Sequence, residues 1–376
     1  MHRARAFIDG TRITDTATGR RPVRVARPVI AGDRGEQAPR SEAELEEILS
    51  RPSSGVVRAL QDCPGDVAIL GAGGKMGPSV VRMVRRAADQ AGGARRVLAV
   101  SRFGSGTLAD QLVESGVEVV RADLTDWASL ASLPETPNVI FLAGQKFGTR
   151  ALPSTTWVTN TVVPALVADR FRGSRIVALS TGNVYPLSPA SGRGSSEDDT
   201  PEPVGEYAWS CLGRERVLEH ASRARGTPIA IVRLNYAVDL RYGVLVDLAL
   251  KVASGTPVDL RMGFVNVIWQ RDAAAQVVQC LSHTAVPPFV VNVAGPEVLS
   301  VREVALEFGR LFGREPVFAG VEATDALLSD TSRGQALWGP PSVTAARLIA
   351  WVADWVTHGG VTLGKPTHFE QREGSF

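Results

Sequence analysis

Residues 67–77, VAILGAGGKMG, limit the fold of this chain more than any other stretch. Val67, Ala68, Ile69 and Leu70 are apolar without interruption and read as a buried strand. They run into Gly71, Gly73, Gly74, Lys75, Met76 and Gly77, and then into PSVVRMV at 78–84, which reads as a helix. Strand, glycine turn and helix in that order are the context of a dinucleotide-binding turn. Gly71 allows the tight turn, Gly74 lets backbone approach a pyrophosphate, and Gly77 lets the helix pack close to the strand. The helix N-terminus offers free N–H groups and a positive dipole end to phosphate. In a chain with 37 glycines the triplet alone is a weak signal, so the elements that follow carry the argument.

Apolar runs recur at 97–100, 117–120, 139–142 and 176–179, separated by stretches with helical patterning. Each run is nearly all apolar, which predicts parallel strands covered on both faces. The expected fold is α/β, a Rossmann-type doubly wound parallel sheet with a smaller C-terminal substrate-binding lobe. The expected division is an N-terminal extension over 1–55, a dinucleotide-binding domain over 56–235, and a lobe and tail over 236–376, with some segments returning to the sheet. Residues 1–40 read as an irregular arm, 41–49 as a helix opened by a capping box at Ser41 and Glu44, and 55–61 as a second helix. In such sheets ligands bind at the carboxyl ends of strands, and the polar clusters fall there. Ser101 and Arg102 follow the second run where an acid would bind the ribose of NAD and an arginine the 2′-phosphate of NADP. NADP(H) is therefore expected over NAD(H). Asp123 and Leu124 follow the third run, with Asp123 expected beside the adenine or as a turn aspartate. Ala143 and Gly144 follow the fourth, where small residues let backbone lie against a cofactor. Asn160 lies in the next helical stretch.

Several motifs in order resemble the extended short-chain dehydrogenase/reductases of the NAD-dependent epimerase/dehydratase type. They are GAGGKMG at 71–77, ADLTD at 122–126, FLAG at 141–144, Asn160, STGNVY at 180–185, EYAWSCLGRERVLE at 206–219, IVRLN at 231–235 and VNVAGPEVLSVREVA at 291–305. The resemblance spans about 67–356. It implies a catalytic Tyr207, which trades a proton with a substrate oxygen while the nicotinamide trades a hydride, and a catalytic Thr181, whose hydroxyl hydrogen-bonds the same oxygen. It also implies a lysine at 211 that lowers the tyrosine from its ordinary pKa near 10. Cys211 stands there instead, with Glu215 in step behind it. Lys146, just after Gly144, is the candidate substitute, the alternative being a solvent-facing loop lysine. Asn183, Asn235 and Arg241 are candidate substrate contacts, and Arg233, Tyr242 and Arg261 are further polar candidates. Each of the arginines also reads as a structural ion pair.

The formal net charge of +2 gives no reason to expect nucleic acid or an anionic membrane as partner. Cys63, Cys211 and Cys280 are too few and too widely spaced for a disulfide framework or zinc site, and no metal is expected. MHRARAFIDG lacks the apolar core of a secretory signal, and a cytoplasmic location is the expectation. The tail KPTHFEQREGSF, with His368 and Arg372, could fold over the site or onto a second copy in a homodimer. The first expectation is an NAD(P)-dependent oxidoreductase, epimerase or dehydratase acting on a polar hydroxyl or carbonyl compound, sugar-like or a biosynthetic intermediate. The alternatives are non-redox chemistry (lyase, cyclase or isomerase) on the same scaffold, or a regulatory protein that binds the cofactor without catalysis.

Overall fold

The computed structural model of the chain describes residues 37–104, 106–148 and 151–374. The expected arm at 1–40 therefore lies mostly outside the described residues. Seven parallel strands form one sheet: β1 (Val67–Leu70), β2 (Val97–Ser101), β3 (Glu118–Arg121), β4 (Asn138–Phe141), β5 (Arg175–Thr181), β6 (Ile229–Leu234) and β7 (Phe289–Val293). Their spatial order is β3-β2-β1-β4-β5-β6-β7. The chain winds outward from β1 to β3 and then returns to place β4 on the other side of β1. The crevice opens at that reversal, beyond the carboxyl ends of β1 and β4. This is the doubly wound α/β fold expected from the apolar runs. The residues of β1 and β4 are all buried, because helices cover both faces. At the sheet edge, β3 exposes Glu118 and Arg121, charges suited to an unpaired strand margin.

Helices α1 (Glu42–Leu49), α2 (Ser54–Asp62), α3 (Gly77–Ala91), α4 (Leu108–Glu114), α5 (Trp127–Ala131), α6 (Pro153–Trp157) and α7 (Val163–Arg170) precede β5. A π-helical turn, Val158–Val162, joins α6 to α7. Later come α8 (Gly205–Arg225), α9 (Val244–Ser254), α10 (Gln270–Gln279), α11 (Val301–Phe312), α12 (Ser332–Trp338) and α13 (Ala345–Thr357). One sheet face is covered by α2, α3 and α10, through Val56, Leu60, Val80, Val84 and Val277. The other is covered by α5, α7 and α8, through Leu130, Val163, Val167, Leu218 and Ala221.

A separate apolar core holds the lobe, where α9, α11 and α13 meet around Leu245, Phe308 and Trp355. Within it Trp269 and Trp351 make an edge-to-face contact at 5.6 Å. Ser41 caps α1 at the position the sequence predicts, its hydroxyl accepting the Glu44 N–H, and the Ser300 hydroxyl caps α11 by accepting the Glu303 N–H. The destination of α1 was not legible, since it places Leu45, Ile48 and Leu49 in the lobe core. The tail runs back along the lobe. Thr367 donates its N–H and hydroxyl to Asp247 at 2.8 and 2.6 Å, and Arg372 binds the Asp325 carboxylate at 2.5 Å.

Candidate active site

A cavity of about 410 Å³ lies between the carboxyl ends of β1, β4, β5 and β6 and the lobe. The glycine turn forms one wall, and the turn demands glycine. Gly71 has φ +93°, and a Cβ there would stand 2.6 Å from the Ala143 nitrogen. At Gly77 a Cβ would stand 2.9 Å from Ala72 Cα, and at Gly73 it would stand 2.8 Å from Ser101 Oγ. Gly74 is open apart from the Gly71 carbonyl at 3.2 Å. Met76 caps α3 with no side-chain hydrogen bond, and both Met76 and Gly77 line the cavity. A bare helix N-terminus behind a glycine cradle fits the pyrophosphate of a dinucleotide.

Ser101 ends β2 beside Gly73. Arg102 is 80% exposed at the side chain and 3.9 Å from the Asp123 carboxylate, leaving its guanidinium available in solvent. Asp123 accepts the Thr125 N–H and hydroxyl at 2.9 and 2.7 Å, so it is a turn aspartate, and these bonds hold its carboxyl below the usual range. Leu124 turns its side chain into the core beneath α5 and α7, which corrects its expected place among the cofactor contacts to a backbone one at most.

Asn160 lies in the π-helical turn. Its side chain is fully buried: Oδ1 accepts the Gln145 N–H and the Arg214 guanidinium, and Nδ2 donates to the Gln145 carbonyl and Ser210 Oγ. These bonds position the loop after β4. Gly144 is needed for the same clamp, since a Cβ there would stand 2.8 Å from Arg214.

Thr181 at the end of β5 and Tyr207 in the first turn of α8 both line the cavity, and their side chains are hydrogen-bonded. The Thr181 hydroxyl also meets Asn183, at 3.0 Å to its side-chain oxygen and 3.2 Å to its N–H. One helical turn beyond Tyr207, Cys211 is buried and hydrogen-bonded to the phenol. Burial first, then the Cys211 thiol, push the Tyr207 phenol well above its ordinary value, against the Thr181 bond that draws it down. Lys146 lines the same cavity with Nζ 5.9 Å from the Tyr207 ring centroid, and burial lowers its ammonium to about 8.

Asn235 lines the cavity as well, with its amide donating to Leu327 and Asn266. Arg241 does not. It is bound to Asp239 and Glu46 at 2.8 Å each, outside the cavity, which corrects its expected substrate contact. Arg233 and Arg261 are likewise spent on Glu215 and Asp259.

The family model for the "NAD dependent epimerase/dehydratase family" matches residues 67–238. Those residues are similar to that family. The match takes in the glycine cradle, Thr181 and Tyr207, and it ends where the lobe begins. No curated protein matches the chain. Among solved structures, MoeE5 in complex with UDP-glucuronic acid and NAD is similar at TM-score 0.65 and 20% identity, over 78% of this chain and 100% of that one. The UDP-glucose 4-epimerase of Thermus thermophilus, in complex with NAD, is similar at TM-score 0.63 and 20% identity, over 77% and 98%. DesIV, a dTDP-glucose 4,6-dehydratase from Streptomyces venezuelae with NAD and TYD bound, is similar at TM-score 0.64 and 18% identity, over 77% and 97%. At this identity the likeness is one of fold.

Within the family segment, sequence reasoning missed the buried network beneath Thr181 and Tyr207. Glu215 accepts from Ser180 Oγ at 2.6 Å and from Arg233 at 2.7 Å, and Arg233 donates to the Tyr185 hydroxyl at 2.7 Å. It also missed the cavity walls made by Phe147, Tyr236, Gln270 and Thr367, while Tyr242, a polar candidate from the sequence, lines the cavity too. Nothing local marks these residues, since strands and loops distant in sequence bring them together. Among the described residues no helix is long and apolar enough to cross a membrane.

Proposed function

We propose that this chain is a nicotinamide-dependent enzyme of the epimerase/dehydratase kind, moving a hydride and a proton at a hydroxyl or carbonyl carbon of a sugar-like small molecule. The observation that carries the reading is the hydrogen-bonded pair Thr181 and Tyr207 in a cavity whose wall is the glycine cradle. Similar structures hold UDP-glucuronic acid or dTDP-sugar enzymes with NAD, which supports the substrate class.

Gly71, Gly74 and Gly77 and the start of α3 would hold the dinucleotide's pyrophosphate. Ser101 and Arg102 would receive a 2′-phosphate, so NADP(H) is the proposed cofactor over NAD(H). The bound nicotinamide supplies hydride transfer at the carbon carrying the reacting oxygen. Thr181 holds that oxygen by hydrogen bond and orients it toward the phenol. Tyr207 keeps its proton at neutral pH because burial raises it. It therefore serves first as the acid that protonates a carbonyl oxygen as hydride arrives. In the reverse direction the phenol must take a proton back, and Lys146, charged below about pH 8, is the cation near enough to favour this. Lys146 thus stands in for the lysine that Cys211 replaces.

The test joins binding to turnover. NADPH is expected to bind more tightly than NADH, with Arg102→Ala weakening NADPH by about 1–3 kcal/mol. On a panel of nucleotide sugars, Tyr207→Phe is expected to lose about 100- to 10,000-fold in rate while binding NADPH as before. Equal affinity for both dinucleotides rejects the Arg102 role, and full turnover by Tyr207→Phe rejects the catalytic reading.

A further inference from the structure

The cavity has a charge imbalance that the reaction alone does not require. Its lining includes Lys75 and Lys146 and no aspartate or glutamate. Lys75 belongs to the glycine turn, but its ammonium leaves the turn and rests on rings from two other parts of the fold. It lies 3.3 Å from the centroid of Tyr242, in the lobe, and 4.5 Å from that of Phe147, in the loop after β4. The Lys146 ammonium lies 5.8 Å from the same Phe147 ring. Two cations thus approach one aromatic side chain in the cavity that holds Thr181 and Tyr207.

Among the described residues Lys75 makes no ion pair and no hydrogen bond. The nearby Asp247 is already occupied, accepting both the N–H and the hydroxyl of Thr367. Burial against the rings, and then the charge of Lys146, lower the Lys75 ammonium to about 8, so both lysines are still largely charged at neutral pH and repel each other. An anion beside them offsets the repulsion and gives the Lys75 ammonium an acceptor.

We propose that Lys75, with Lys146 behind it, forms an oxyanion site that holds a carboxylate or phosphate group of the substrate beside the reacting carbon. The inference rests on the active-site assignment of this cavity and adds a subsite to it, one for an anionic group on the reacting part of the substrate. The competing source of the anion is the cofactor's own pyrophosphate. Its expected seat is the start of α3, whereas the Lys75 ammonium rests on Tyr242 and Phe147.

Inorganic phosphate is the probe. It is titrated into the NADPH-saturated chain at constant ionic strength in chloride, with bound phosphate followed by equilibrium dialysis. Saturable binding is expected, weakened about tenfold or more in Lys75→Gln and restored in Lys75→Arg, with NADPH affinity unchanged in both. Absence of saturable phosphate binding at millimolar concentrations overturns the proposal. So does a Lys75→Gln variant that loses NADPH affinity and not phosphate affinity, since the lysine then serves the pyrophosphate. If the wild-type chain binds no NADPH, the functional reading fails by itself. The Lys75 dependence of phosphate binding to the cofactor-free chain then still decides the anion site.

Discussion

Removing the carboxylate of Glu215 is expected to destabilise the protein more than any exposed charge deletion. The side chains of Glu215 and Arg233 are only 4% and 6% exposed, and their closest approach is 2.7 Å. A second Arg233 nitrogen, Nε, reaches the same carboxylate at 3.1 Å, so the contact is forked and rigid. In Glu215→Gln the guanidinium keeps the Tyr185 hydroxyl at 2.7 Å but loses its counter-charge in a dry site. Breaking a buried pair on one side costs about 3–5 kcal/mol. In urea the midpoint should fall by that amount divided by the m-value, with the m-value unchanged. Arg233→Met should cost a similar amount. The double variant should cost less than the two single losses together, by about 1–3 kcal/mol, because neither charge is then left alone. Catalysis should suffer as well, since Ser180, which donates to Glu215, precedes Thr181 and fixes the end of β5. A Glu215→Gln loss below about 1 kcal/mol, the scale of an exposed pair, refutes the reasoning. Strict additivity in the double variant refutes the coupling.

The remaining expectations concern Lys146 and assembly. Lys146 loses its charge as pH rises through about 8, so kcat in the direction that needs a deprotonated Tyr207 should fall there, and Lys146→Met should lack that limb. Lys75 titrates near the same pH but should act on kcat/KM through substrate binding, so an unchanged kcat profile in Lys146→Met rejects the substitution. For assembly, we propose a homodimer that covers the exposed apolar side chains of Trp157, Val158 and Val162 and of Trp209 on α8. Sedimentation should give twice the chain mass for the wild type and a monomer for Trp209→Glu, and a monomeric wild type removes this proposal.

The sequence by itself determined the sheet and the cradle. Uninterrupted apolar runs pointed to strands buried on both faces, and β1 and β2 begin where their runs do, whereas β3, whose run holds Glu118, is an exposed edge. Gly71 and Gly77 were legible because their demands are local: a positive φ in one case and contact with Ala72 in the other. Thr181 and Tyr207 were singled out by the family resemblance, and both line the cavity. Whether those two side chains meet, and what surrounds them, depended on how α8 packs across β5. The same holds for Asn160 and Arg241, polar residues whose type suggests ligands but whose capacity goes to Gln145 and Arg214, and to Asp239 and Glu46. No periodicity reveals which acceptor a side chain will find. Lys75 shows the limit most clearly. Its position in the glycine turn pointed to the cofactor, yet its ammonium lies on Tyr242 of the lobe and Phe147 of the loop after β4, rings that only tertiary packing brings beside it. Backbone geometry is specified within a few residues, whereas side-chain partnership at long range is settled only by tertiary packing.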